Sequence, residues 1–414
     1  MFTKDSRILN NRLTVPLTSV SKAVGDVFKP TFNQLIKSLF SNSEVGFAYD
    51  LNDLTTLYQD AAGTVPVTGG GQPVGLILDK SKGLVLGGDL VTNGDFGSNL
   101  TNWIVSATSP ASVTIVGGAA RIYSPAGESV LLRQPLVVQA TKLYEVSFDV
   151  LAMTGSAYIA LHGGAIGSQS RYDFNSTGHK KIILKPADAS DLIFARAAAC
   201  DCVIDNVSVK ELSGNHAYQT TSASRPILRK NVITGAYYLA FDGADDFLQT
   251  NAIDFTSTDK MSLFAGVRKL NDGVNSILYE LSTVAGTGNP GSFRMMAPES
   301  GSQYDTRSTG TVDSTTYTQN AAYKAPHSAV LTAISQISAD TNILRVNGTQ
   351  VSSVSYDQGT GNYGNYPLYI GRRAGTTFPF NGHIYSLIGI GRLTTDSETA
   401  ALEKVIAKNV GVTL

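Results

Sequence analysis

YEVSFDV, residues 144–150, decides the fold class: Tyr144, Val146, Phe148 and Val150 alternate with Glu145, Ser147 and Asp149. Successive side chains of a strand point to opposite faces, so this stretch is a strand with one face buried and one wet. Working outward, similar short runs recur at 113–123, 130–138, 157–162, 180–185, 192–198 and 202–210. That spacing predicts a β-sandwich over 89–213. A second series lies near 236–242, 246–250, 261–268, 276–282, 292–296, 329–337, 342–346, 366–371 and 383–391. It predicts another sandwich over 214–414, with Asn347-Gly348 as a type I′ hairpin signal. The expected class is all-β: two antiparallel sandwiches preceded by a short helical segment.

Two helices stand out against this background. At the C-terminus, Thr395 or Asp396 can cap a helix whose apolar stripe is Ala401, Leu402, Val405 and Ile406, with Gly411 as its stop. Within residues 1–43, Val24, Val27, Phe28, Phe32, Leu35, Ile36, Leu39 and Phe40 fall at helical spacing, interrupted by Pro30. The seam Phe28, Phe32, Leu35 and Leu39 predicts an anchor that joins chains, a trimer being favoured, or else a helix laid on its own domain. Residues 44–88 read as a linker segment, with Asp50 and Asp53 in turns or caps and a breaker run at Thr68-Gly69-Gly70-Gly71.

Composition narrows the function. With 32 Lys+Arg against 33 Asp+Glu, the net charge is -1. A nucleic-acid protein needs a basic surface to displace counterions, so that class is excluded. Charged residues are only 16% and glycines number 40, so the wet surfaces must rest largely on hydroxyls and amides. No apolar run is long enough for a membrane-spanning helix. The opening MFTKDSRILNNRL has no apolar core of a signal peptide, which predicts synthesis in a cytosol. Cys200 and Cys202, two apart on one strand face, read as small buried hydrophobes.

Three stretches, YLAFDGADDFLQT (238–250), ILRVNGTQV (343–351) and LYIGRRAGTTFPFNGHIYSLIGIGRLTTDSETAALE (368–403), resemble the opening, hairpin and close of laminin-G-like, concanavalin A-like lectin domains. LVTNGDFGSNLTNW (90–103) and VIDNVSVKEL (203–212) resemble the two ends of galactose-binding-like jelly-roll carbohydrate-binding modules. The flanks GFAYDLNDLTTLYQDAAGTVPVTGGGQPVGLILDKSKG and GNHAYQTTSASRPIL resemble a stretch that runs unbroken in tailed-bacteriophage virion proteins. Here they are split, as if the jelly roll at 89–213 were inserted between Gly83 and Gly214. Chain ends of domains lie close together at the surface, so such insertion is physically easy.

The resemblance implies a non-enzymatic virion structural or adhesion protein, made in the host cytoplasm and resident on the particle, tail-fibre-like. It would be anchored to other virion proteins through 1–43 and would attach to a host cell-surface glycan. The alternatives are a glycan-degrading virion enzyme and a purely architectural decoration protein. Against the enzyme, none of the eight glutamates begins the Glu-x-Asp-x-x-Glu pattern of glucanases that share the lectin-like sandwich. The five histidines, 162, 179, 216, 327 and 383, have no ligand-like spacing.

Sugar binding needs aromatic faces beside hydrogen-bonding partners. The candidate set is Tyr356, Asn362, Tyr363, Asn365, Tyr366 and Arg372; a loop of this composition could equally contact a neighbouring chain. Trp103 is expected in a core. No cofactor is required, but the jelly-roll resemblance implies a structural Ca²⁺ held by Asp205 with Asn93 or Asp95, where the chain ends meet.

Overall fold

The computed structural model describes residues 30–162, 170–186, 188, 191–283, 289–318 and 321–414. Antiparallel strands dominate them, in three sheets that build two sandwiches.

The larger sandwich has a back sheet of eight strands, ordered Ile227–Lys230, Tyr237–Asp242, Asn381–Ile390, Lys260–Lys269, His327–Gln336, Thr341–Val346 and Thr349–Val354, with Gly46–Asp50 also paired to Asn381–Ile390. Its front sheet has nine, running Leu57–Tyr58, Leu76–Ile77, Ala217–Tyr218, Leu248–Asp254, Asn365–Ile370, Ile277–Leu281, Phe293–Met296, Asp305–Thr309 and Asp313–Tyr317. Phe47, Leu263, Leu331, Tyr279, Phe293 and Leu368 fill the space between them. Asn347 and Gly348 both take positive φ, 49° and 79°, as a type I′ turn demands.

Residues 44–88 are not a linker. Gly46–Asp50 pairs along Asn381–Ile390, and Leu76–Ile77 pairs with Ala217–Tyr218, so this segment supplies strands to both sheets of the larger sandwich. Asp79 fastens it. Its buried carboxylate accepts from Ala48 N at 2.8 Å, Ser81 N at 2.8 Å, Ser81 Oγ at 2.6 Å and Asn215 N at 2.7 Å. The stretches on either side of the jelly roll are thus hydrogen-bonded to each other.

The other face of the back sheet carries both helices. Thr395 and Glu398 form a reciprocal cap at the start of Asp396–Val410, and Gly411 ends it at φ 84°. Gly266 lets this helix approach: a Cβ there would stand 2.7 Å from Ile406 and 2.8 Å from Val410. The first helix, Phe32–Leu39, starts after Pro30 with Thr31 as its cap. Its Ile36, Leu39 and Phe40 are buried with Phe264, Tyr385, Leu402 and Ile406, and Phe32 and Leu35 pack at the edge. Arg392 locks the junction, donating to Leu39 O at 3.1 Å and pairing with Glu44 and Glu398. Three of the four residues of the expected inter-chain seam, Phe32, Leu35 and Leu39, are therefore spent on the chain's own domain, because the helical apolar stripe finds an equally apolar partner there. Val24, Val27 and Phe28 lie outside the described residues. No helix among the described residues is long and apolar enough to cross a membrane.

The smaller sandwich spans Leu86–Leu212 and has its own core, with Phe96, Trp103, Phe148, Phe174 and Phe194 at its centre. Its spine is the long ladder between Leu143–Leu161 and Asp191–Leu212. Positions 144, 146, 148 and 150 point inward as alternation requires. The expected strands 192–198 and 202–210 are one strand with register shifts between Arg196 and Cys200 and beyond Val203, which let it bend. Leu143, Ile183 and Leu212 of this module meet Leu76 and Leu78 of the larger sandwich in a small apolar contact.

Candidate functional site

The loop 356–366 does not form an exposed tyrosine platform. Tyr356 is 67% exposed, but Tyr363 is 1% exposed and belongs to the core. Its ring meets Phe293 edge-on at 5.8 Å, and its hydroxyl lies 2.8 Å from Ser308 Oγ. Two backbone bonds draw it in: Tyr363 N to Thr258 O at 2.9 Å and Gly364 N to Gly291 O at 2.8 Å. Tyr366 packs against the core edge and donates its hydroxyl to Pro290 O at 3.0 Å. Asn362 and Asn365 are exposed, with Asn362 Nδ2 donating to Thr256 O at 2.7 Å. Arg372 is half-buried and donates to Thr376 O at 3.0 Å. The six residues therefore do not converge; the loop is largely a strut.

The strand following this loop leads to a better-built surface. In the front sheet the register sets Tyr218 opposite Gln249, Gln249 opposite Tyr369, and Tyr369 opposite Glu280. Glu280 stands opposite Arg294, Arg294 opposite Arg307, and Arg307 opposite Thr315. Directly opposed residues share a face. Their neighbours Leu248, Leu368, Ile370, Leu281 and Phe293 fill the core, so this row lies on the outer face.

The row is dense in charge and aromatic area. Arg373 is laid over Glu280, its Nε donating to Oε2 at 2.9 Å, with both side chains 5% exposed. The Phe378 ring lies 4.8 Å from the Arg373 guanidinium. Arg294 donates to Asp305 at 2.9 Å, and Arg307 pairs with Asp313. Burial pushes the Glu280 and Asp305 carboxyls above their ordinary values, although Arg373 and Arg294 pull the other way. Burial, reinforced by Arg294, also lowers Arg307. Several atoms here have no hydrogen-bond partner among the described residues: Arg294 Nε, Arg307 Nε, Arg373 Nη2 and Asp305 Oδ1. Buried polar atoms in native proteins are nearly always paired, so these donors and this acceptor call for a polar guest or ordered water. Sequence reading named Arg372 and Tyr363 where the face uses Arg373 and Tyr369. Strand parity was the available signal, since inward Leu368 and Ile370 turn Tyr369 outward.

At the mouth of the smaller sandwich, Asn93 and Asp205 of the implied calcium set make hydrogen bonds of their own. Asn93 Nδ2 donates to Asn99 O and Thr101 O, at 3.1 and 2.9 Å, and Asn93 O accepts from Trp103 Nε1. Asp95 is exposed, and Asp205 accepts from Asn206 N at 2.8 Å. No three His, Cys, Asp or Glu side chains gather as a metal set among the described residues. Opening turn and closing strand are joined by main-chain bonds, Val207 N to Gly94 O and Leu90 N to Val209 O, both 2.9 Å. Cys200 and Cys202 are free and buried, as their spacing predicted, and Trp103 is in the core.

No family model matches the chain, and neither does any curated protein. Solved structures give distant likenesses. The Ruminococcus gnavus IT-sialidase CBM40 bound to α2,3-sialyllactose is 14% identical with a TM-score of 0.30, over 37% of this chain and 97% of that one. The botulinum neurotoxin serotype G binding domain is 10% identical with a TM-score of 0.36, over 48% of each chain. The serotype D binding domain is 8% identical with a TM-score of 0.34, over 44% of this chain and 47% of that one. Likenesses this remote carry no argument about what the chain binds.

Proposed function

We propose that the protein is a non-enzymatic adhesion protein of a bacteriophage virion whose outer front-sheet face binds a host-surface glycan. The observation that supports this reading is the row Gln249, Tyr369, Glu280, Arg294 and Arg307, with Arg373 beside it and both donor and acceptor atoms left unpaired. A polyhydroxylated ligand offers donors and acceptors together and an apolar ring face for Tyr369. The N-terminal segment 1–43 would supply attachment to the particle and to sister chains, a trimer being favoured. Repetition around the particle would then turn weak sites into avidity.

The carboxylates at hand do not make a hydrolytic pair, since Glu280 and Asp305 are each tied to an arginine. Purified chain on an array of bacterial surface glycans, combined with a reducing-sugar release assay, tests the reading. Retention on specific glycans without release supports adhesion. Release of sugar would establish an enzyme instead, and a blank array would favour an architectural role.

A further inference from the structure

A cleft of about 430 Å³ opens where the two sandwiches meet. Its lining mixes apolar Leu76, Leu143 and Leu212 with three lysines. From the smaller module come Lys142 and Lys185, from the segment before it Lys82, and from the front sheet Tyr218 and Asn251. The cleft exists only because the modules touch: Asn251 Nδ2 donates to Thr141 O across the junction, and Tyr218 OH donates to Asn251 Oδ1 at 3.2 Å.

The lysines are not equivalent. Lys142 is paired with Glu211 at 2.8 Å, and Lys82 Nζ donates to Glu44 O at 2.9 Å and Ser43 O at 3.3 Å. Lys185 Nζ lies 4.4 Å from the Tyr218 ring centre and has no carboxylate partner among the described residues. Of the three lysines in the lining, Lys82 is thus held by the Ser43 and Glu44 carbonyls and Lys142 by Glu211, so the ammonium left to meet a guest is that of Lys185. An ammonium ion poised at the rim of a half-apolar cleft is stabilised by an anion that enters it.

Tyr218 also begins the outer-face row, five strand steps from Arg307 along the order Ala217–Tyr218, Leu248–Asp254, Asn365–Ile370, Ile277–Leu281, Phe293–Met296, Asp305–Thr309. At roughly 4.8 Å per step the path is about 24 Å long, basic at both ends. We infer that the cleft is a subsite for a carboxylate-bearing sugar unit of a linear acidic glycan laid along this path. The inference rests on the glycan reading above and adds the ligand's charge and the place where it is read. Lys185 contributes the discriminating contact, a charge-assisted hydrogen bond to the sugar carboxylate. Lys142 and Asn251 hold the walls.

The test compares tetragalacturonate with its methyl ester, which keeps the sugar skeleton and removes the charge. Binding to the full chain is measured by calorimetry for the native protein and for Lys185→Gln and Lys185→Arg, with melting curves as a folding check. The inference expects the acid to bind about tenfold tighter than the ester, a preference lost in Lys185→Gln and kept in Lys185→Arg. Equal binding of acid and ester, or a preference untouched by Lys185→Gln, would overturn the inference while leaving a glycan-binding face intact. Absence of binding by both, with the array blank as well, would overturn the inference and the glycan reading together.

Discussion

Replacing Tyr363 separates a strut from a binding surface. The ring is 1% exposed and packs on Phe293, and its hydroxyl is 2.8 Å from Ser308 Oγ. Tyr363→Ala removes a fully buried aromatic side chain, which costs about 3–5 kcal/mol, and leaves the Ser308 hydroxyl stranded for roughly 1 kcal/mol more. Tyr363→Phe keeps the ring and loses only the hydroxyl pair, for about 1 kcal/mol. For a domain of this size each kcal/mol lowers Tm by about 2–4 °C. Calorimetry should therefore show Tyr363→Ala falling by on the order of 10 °C and Tyr363→Phe by only a few degrees. Tyr356→Ala, at 67% exposure, serves as the control and should stay within about 0.5 kcal/mol of the native chain. Tyr363→Phe should bind glycan as the native protein does. If Tyr363→Ala melted with the native chain and lost binding instead, the placement of this loop would be refuted.

Asp79→Ala should destabilise by at least about 3 kcal/mol in denaturant unfolding, because four donors to one buried carboxylate lose their acceptor. Deleting 84–213 and joining Gly83 to Gly214 should leave one cooperative calorimetric transition, since the two main cores share no residue. Burial raises Asp246 to about 6, so its proton is held more tightly in the folded state. Its contribution is present below the unfolded carboxyl value of about 4 and is lost as pH rises through about 6. Asp246→Asn should accordingly stabilise the chain by roughly 2–3 kcal/mol at pH 8 and hardly at all below about pH 4, as measured by urea unfolding across pH.

The sequence announces strands where one face is apolar. Tyr144–Val150 alternates cleanly and is a strand; Lys260–Lys269 and Asn381–Ile390 are found within a residue or two for the same reason. Asp305–Thr309 and Asp313–Tyr317 escape, because DTRST and DSTTY show no apolar alternation. Their inward hydroxyls are instead matched by polar partners from elsewhere, Ser308 by Tyr363 and Thr316 by Ser352. Asn342 Nδ2, buried in the back sheet, donates to Thr306 O and Ser314 O at 3.2 and 2.9 Å. Such pairing spans long sequence separations, which no local pattern records.

The outer-face row is hidden for a related reason. Parity alone turns Tyr369 and Glu280 outward, yet nothing local says that Asn365–Ile370 and Ile277–Leu281 are neighbours. The loop 356–366 misleads in the opposite direction. Its tyrosines amid Gly and Asn resemble an adaptable surface, but Gly291 and Gly364 let two backbones touch and carry Tyr363 inward. The first helix shows the limit of amphipathic patterns, since a stripe says that a face is covered and not by which partner. Here the partner is the C-terminal helix.

Glycan contact through the outer front-sheet face is a proposal that two side chains can test. Gln249 and Tyr369 are half-buried on that face and belong to no ion pair, so Gln249→Ala and Tyr369→Ala together should fold normally. The most direct measurement is the affinity of this double variant for immobilised host-surface polysaccharide, beside the native chain, with both melting curves recorded. The account predicts an unchanged Tm and binding weakened by at least about tenfold, the worth of a lost aromatic face and its amide partner. Undiminished binding by a fully folded double variant would contradict it.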